Sequence, residues 1–292
     1  MLKINYTNNF DRNKYCEKLE KSETLFNQYK NEKIGKFDTL FQDISFKCIV
    51  IGKFNTIQKL KEKIGTSDDI KNNKYILEVF NYTKYQSTTI KPFFEDNLIV
   101  STCYYCNIDF VNSYNTDVGN KNKFTIDHYY DKATYPYLGL SLYNFIPSCY
   151  TCNSKLKKNK EFKNVAPSSK YFDFEHKVKF KLFLDKDCKN LHVKDKKDID
   201  IPLKEQFSNE YDKYIEVFKL NERYKAHKDI VYEMITKVEL YPESRLKELQ
   251  YLTGIPFQQI KKDIFNLSDE EDLSKKPFSK LIKDISEELK LT

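Results

Sequence analysis

Over the first 95 residues, apolar positions recur at helical spacing within stretches rich in Lys and Glu. The stretch from Phe10 to Tyr29 contains neither Pro nor Gly. Thr56 precedes Ile57, Leu60 and their lysines, and Ser67-Asp68-Asp69 has the chemistry to cap a helix carrying Ile70, Tyr75, Ile76, Val79 and Phe80. Pro92 and the pair Glu95-Asp96 break this pattern, and a short strand-like run from Leu98 delivers the chain to Cys103. The pattern predicts a helical segment over 1–95. From Cys103 to Cys149 helical periodicity is absent, which sets 96–165 apart as a separate module. Val178 to Phe183 and Leu191 to Val193 alternate like the arms of a hairpin around 185–190. Helical patterning then resumes from Leu220 to about Leu240. Pro242 suits the first turn of a following helix, Gly254 a C-terminal stop, and Ser268-Asp-Glu-Glu271 a capping box. The expected fold class is α+β and α-rich, with a hairpin plus helices over 166–292.

Composition adds size and setting. The chain has 292 residues, 40% of them apolar and 15% aromatic, enough to build a buried core and to exclude wholesale disorder. No apolar run approaches the roughly 18 to 20 residues of a membrane span, so no membrane association is expected. The start, Met1-Leu-Lys-Ile-Asn-Tyr6, lacks a signal-peptide core, which points to a cytoplasmic, reducing setting in which the seven cysteines are not paired as disulfides. Net charge is +7. Abundant Lys, Asn, Ile, Tyr and Phe are also what AT-rich codon usage produces, so basicity by itself does not name nucleic acid as a partner. Its location says more: 17 basic against 13 acidic residues over 1–100, 8 against 5 over 101–165, and 25 against 25 beyond.

Cys103-Tyr-Tyr-Cys106 and Cys149-Tyr-Thr-Cys152 form two C-x-x-C pairs separated by 42 residues. Four thiolates complete a tetrahedral zinc shell, and two such knuckles staple distant segments into a module with little apolar core. The alternative is a redox or unmetallated pair, although neither has thioredoxin-like surroundings. Between the knuckles stands Asp127-His128, where a carboxylate suited to a divalent cation adjoins an imidazole suited to taking a proton. By itself the dipeptide is equally an ordinary strand end. Asn144, in Asn144-Phe-Ile-Pro147, precedes the second knuckle, and Asn153 follows Cys152 directly.

In this order, C-x-x-C, Asp-His, N-x-I-P and C-x-x-C-N followed by a lysine-rich stretch, the chain resembles the HNH endonucleases, specifically the zinc-containing branch of the ββα-metal nucleases. The likeness covers 103 to about 160. It implies a zinc-stapled ββα module between two mostly helical segments, with structural Zn2+ on Cys103, Cys106, Cys149 and Cys152. It also implies that His128 is the general base, that Asp127 and Asn153 are ligands of a catalytic Mg2+ or Mn2+, and that Asn144 braces a loop. Asn153 has a simpler alternative as a helix cap, and Asn144 as a turn residue. The family further implies phosphodiester hydrolysis of nucleic acid, most simply DNA, leaving 5′ phosphates.

Lys155, Lys157, Lys158, Lys160 and Lys163 follow the second knuckle, and Lys132 follows the Asp-His pair. Beside a nuclease site, Lys132, Lys155, Lys157 and Lys158 are candidates for phosphate contact; alone they would be a solvated face. Tyr104, Tyr105, Tyr129 and Tyr130 are read as packing around the module rather than base-stacking groups. His176, His192 and His227 are read as structural or surface residues, and Cys16, Cys48 and Cys188 as incidental thiols. The arrangement also resembles HNH effectors encoded beside ATPases in bacterial antiphage defence, of the Septu kind, and more loosely HNH restriction enzymes. That makes an ATPase or other defence-system subunit an expected partner and leaves homo-oligomerisation open. Two other classes stay open: a noncatalytic zinc ribbon that binds nucleic acid, and an assembly subunit whose helical flanks dock a partner.

Overall fold

The computed structural model describes residues 2–6, 10–98, 101–117, 119–122, 124–162, 166–184, 193, 195–267 and 273–291. The chain is helix-rich with four two-stranded antiparallel sheets among these residues. By contacts it divides into two compact units, one of residues 1–105 and 109–172, the other of 106–108 and 173–292. No helix among the described residues is long and apolar enough to cross a membrane.

In the first unit, the expected helical segment forms Glu20–Asn31, Phe46–Ile51, Phe54–Ile64 and Lys74–Val79, joined by shorter turns. Asp11, Ser45, Ser67 and Asn73 accept hydrogen bonds from first-turn amides, so these helix starts use the local capping chemistry written in the sequence. Their apolar faces meet in an aromatic core: Phe26 packs edge-on against Phe37 and Phe41, and Phe46 stacks on Phe80 with ring centroids 5.9 Å apart.

The boundary expected near 95 does not separate two units, because the helical segment and the middle module share a core. The Tyr15 hydroxyl donates to the Leu140 carbonyl, Ser141 to that of Ile49, and Tyr137 to that of Gly65. Phe54 stacks on Tyr130 at 5.6 Å. The middle module carries a hairpin of β1 (Ser113–Thr116) with β2 (Gly119–Asn122), then β3 (Thr125–His128) paired antiparallel with β4 (Phe145–Ser148). The register sets Asp127 opposite Ile146 and His128 opposite Phe145. A helical turn, Thr151–Lys157, follows, with the wide i→i+5 bonding of a π-turn: Lys158 N donates to Asn153 O at 3.0 Å.

In the second unit, β5 (Val178–Phe180) and β6 (Phe183–Leu184) lead out, and β7 (Ile199–Asp200) and β8 (Leu203–Glu205) return. β5 pairs with β8 and β6 with β7. The first arm thus lies where expected and pairs with 199–205. Buried Ile199, Ile201 and Leu203 supply the period-two face. Residues 185–192, with Cys188, His192 and most of the expected second arm, lie outside the described residues, as do Lys163 and the capping box expected over 268–271. Helices Lys228–Leu240, Glu243–Thr253 and Phe257–Phe265 follow, and Gly254, at φ +71°, ends the middle one as its sequence position predicts. Helix Ser279–Glu288 is capped from a distance, Asn107 Oδ1 accepting from Ser279 Oγ and Lys280 N.

Candidate functional site

The sulfurs of Cys103, Cys106, Cys149 and Cys152 lie within 4.8 Å of one another, and all four residues are buried. Sulfurs at about 2.3 Å from a tetrahedral zinc stand about 3.8 Å apart, so a small contraction closes the shell. Two amides already turn toward thiolate sulfur, Ile108 N to Cys106 and Cys152 N to Cys149, each at 3.4 Å. Four buried sulfurs without any disulfide are the donor set that a structural zinc takes, and the cluster is compatible with such a site.

The second cysteine pair fixes the helical turn beside β3, and between them opens a cleft of about 380 Å³. Asp127, His128, Lys132, Asn153 and Lys158 line it, so the polar residues singled out from the sequence converge on one space. The opposite wall comes from the helical segment, through Tyr82, Thr83 and Gln86.

His128 is buried between the rings of Tyr82, at 4.5 Å, and Phe145, at 5.1 Å. Its Nε2 lies 3.1 Å from the Gly139 carbonyl oxygen. A carbonyl can only accept, so Nε2 carries the proton and Nδ1 keeps a lone pair. Burial, reinforced by the Lys132 ammonium, pushes the imidazole down to about 3, which leaves it neutral near pH 7. Gly139 has a steric reason to be glycine, since a Cβ there would stand 2.6 Å from the Phe80 carbonyl oxygen. Asn144 is fully buried and spends its amide on the loop after β3: Oδ1 accepts from Tyr130 N at 2.8 Å and Nδ2 donates to Tyr130 O at 2.9 Å. It does not line the cleft.

Asn153 Nδ2 donates to Thr125 Oγ1 at 2.9 Å, which ties the helical turn to β3. Asp127 is 4% exposed. Its Oδ2 accepts from the Tyr105 hydroxyl at 2.6 Å and lies 3.1 Å from the Lys157 ammonium, which also donates to the His128 carbonyl at 2.8 Å. Burial raises the Asp127 carboxyl, and Lys157 and Tyr105 work against that rise.

Lys157 is therefore not the solvent-facing phosphate contact expected of it. The i→i+5 turn aligns it with buried Cys152, and its side chain is wholly enclosed. Lys132, Lys155 and Lys158 remain exposed. Tyr104, Tyr105, Tyr129 and Tyr130 are buried, in keeping with packing roles. His176 is exposed against Asp173, and His227 packs on Phe278, both away from the cleft. Sequence reasoning missed the Tyr82 wall, Tyr105 as a donor to Asp127, the Gly139 acceptor and the exposed Tyr150 at the rim. Tyr105 and Tyr150 sit inside the C-x-x-C pairs, whose spacing marks the metal and not the tyrosines, while Tyr82 and Gly139 meet the site only through the fold.

Removing one partner of a buried ion pair typically costs about 3–5 kcal/mol. Lys157→Met is expected to lower unfolding stability by that order while Lys158→Met leaves it within about 0.5 kcal/mol. Urea titration of the zinc-loaded proteins reads the difference.

Compared with family models, curated proteins and solved structures, the chain finds no match.

Proposed function

We propose that the protein is a divalent-metal-dependent endonuclease of the HNH kind, in which β3, β4 and the turn Thr151–Lys157 act as the ββα nuclease module. The observation that carries this is a neutral, oriented imidazole beside a carboxylate and an amide oxygen, in one cleft built on a four-cysteine cluster.

The donors suit Mg2+ or Mn2+, which take one or two protein oxygens and otherwise keep water and substrate phosphate. Both contacts on Asp127 fall on Oδ2, so Oδ1 and the Asn153 amide oxygen are the atoms that would hold the ion. When bound, the cation would supply Lewis-acid stabilisation of the charge that builds on phosphorus and the leaving oxygen. His128 Nδ1 would take the proton from the attacking water, while Gly139 O holds the ring through Nε2. Lys132, Lys155 and Lys158 would neutralise neighbouring phosphates. By resemblance alone, we further place the enzyme in bacterial antiphage defence with an ATPase partner, acting on DNA and leaving 5′ phosphates.

One observation favours the noncatalytic zinc ribbon: the Asp127–Lys157 pair gives the carboxylate a structural purpose of its own. Incubating zinc-loaded protein with plasmid, linear duplex, single-stranded DNA and RNA, with and without Mg2+ or Mn2+, decides between the two. Metal-dependent cleavage supports the nuclease; binding with no cleavage of any substrate, partner subunit included, supports the ribbon. Independently, Lys155→Ala with Lys158→Ala is expected to weaken binding across unrelated sequences and reduce its salt slope by about 1 to 2, because phosphate contacts carry no base information. An unchanged slope would return these lysines to a solvated face.

A further inference from the structure

We propose that Tyr150 is a stacking platform for an unpaired nucleobase, so that the cleft takes single-stranded or locally unpaired nucleic acid, an inference that rests on the nuclease assignment above. The other tyrosines around the site, Tyr82, Tyr104, Tyr105, Tyr129 and Tyr130, are at most 7% exposed, whereas Tyr150 is 59% exposed and lines the cleft. The ring leaves an apolar face in water at the mouth of a polar cleft, where a stacked base would cover it. Its backbone lies between Cys149 and Cys152 of the cluster, so zinc on the four sulfurs would hold the segment that carries the ring. Such preorganisation lowers the entropic cost of binding.

Its surroundings identify what would cover it. The Lys155 ammonium lies 5.6 Å from the ring centroid, and Lys132 and Lys158 line or flank the same cleft. An aromatic face among cations, with Asp127 and Asp131 the acidic residues among the described lining, matches an aromatic ring attached to a phosphate chain. In a duplex, base faces are covered by their neighbours in the stack, and only backbone and groove edges are offered. Tyr82, Thr83 and Gln86 also line the cleft, whose volume of about 380 Å³ has room for a nucleotide beside the ring.

The test uses the full zinc-loaded chain with Ca2+ replacing Mg2+, and fluorescence anisotropy with a 12-nucleotide DNA strand, an RNA strand of the same sequence and the blunt DNA duplex. Wild type is expected to prefer a single strand, the two strand arms showing whether DNA or RNA is the source. Tyr150→Ala is expected to lose about 5- to 150-fold in single-strand affinity, the range of one base–aromatic stack. Duplex affinity should stay within about 2-fold, and Tyr150→Phe should retain single-strand affinity, since the ring and not the hydroxyl is required. Equal single-strand affinity in Tyr150→Ala, or an equal loss on duplex, overturns the platform, as does a wild type that binds no nucleic acid. Cleavage with Mn2+ is scored separately. A wild type that binds single strands through Tyr150 yet hydrolyses none leaves the platform standing and removes the nuclease assignment.

Discussion

His128→Gln is expected to cut at about one hundredth to one ten-thousandth of the wild-type rate, with zinc content, fold and substrate affinity retained. Gln is preferable to Ala because the imidazole fills a space between Tyr82 and Phe145 and satisfies the Gly139 carbonyl. A side-chain amide donates there without leaving a cavity, so a lost rate reports the missing base rather than a loosened cleft. Asp127 needs the same care. Asp127→Ala would strand a buried Lys157 ammonium and unsettle the turn that carries Asn153, so Asp127→Asn is the variant that probes metal affinity. Its defect should be partly recovered at higher Mn2+, whereas that of His128→Gln should not. Single-turnover cleavage across a Mn2+ titration, run with whatever partner activates the wild type, separates the two. A His128→Gln protein as fast as wild type would refute the base assignment.

The second large effect concerns zinc. Protein purified without chelator should contain about one equivalent per chain, and Cys149→Ser or exhaustive chelation should unfold the region around the cleft. Structural zinc sites hold apparent binding free energies of about 10–16 kcal/mol, which is folding free energy where the apo site is not preformed. Here Cys149 and Cys152 bracket Tyr150 and fix the turn bearing Asn153, and Cys103 lies next to Tyr104, whose amide donates to the Pro147 carbonyl of β4. Losing the ion should therefore remove nucleic-acid binding together with hydrolysis. Elemental analysis with circular dichroism before and after chelation checks this. Zinc-free protein with an unchanged spectrum would assign the four cysteines to something other than a structural metal.

The helices of the first 95 residues were legible because their signals are local: capping by Ser67 and apolar spacing from Ile57 to Leu60, although the helix expected from Ser67 to Phe80 is split, Asn73 capping its second part. The cysteine cluster was legible for a different reason. C-x-x-C is a spacing that a single metal enforces, so two copies announce their convergence without any knowledge of the path between them. Asn153 could be named because it follows Cys152 directly, and Asp127 and His128 through the family resemblance, since both lie well away from either cysteine pair.

Burial was not legible. A lysine among five in a row-like basic stretch looks solvated, and at 3.6 residues per turn Lys157 would lie well around the helix from Cys152. The wide turn instead brings both to the buried face, where Lys157 meets Asp127. The same holds for the cleft wall, which takes Tyr82 from a segment some 45 residues before His128, and for the strands at 199–205 that pair with β5 and β6. What the sequence by itself determined was which chemistry converges: four thiolates, one imidazole, one carboxylate, one amide. Tertiary structure alone decided which charges face water and what closes the cleft. Those outcomes depend on pairing surfaces remote along the chain, and the free energy that selects them is non-directional burial rather than any local preference of the backbone.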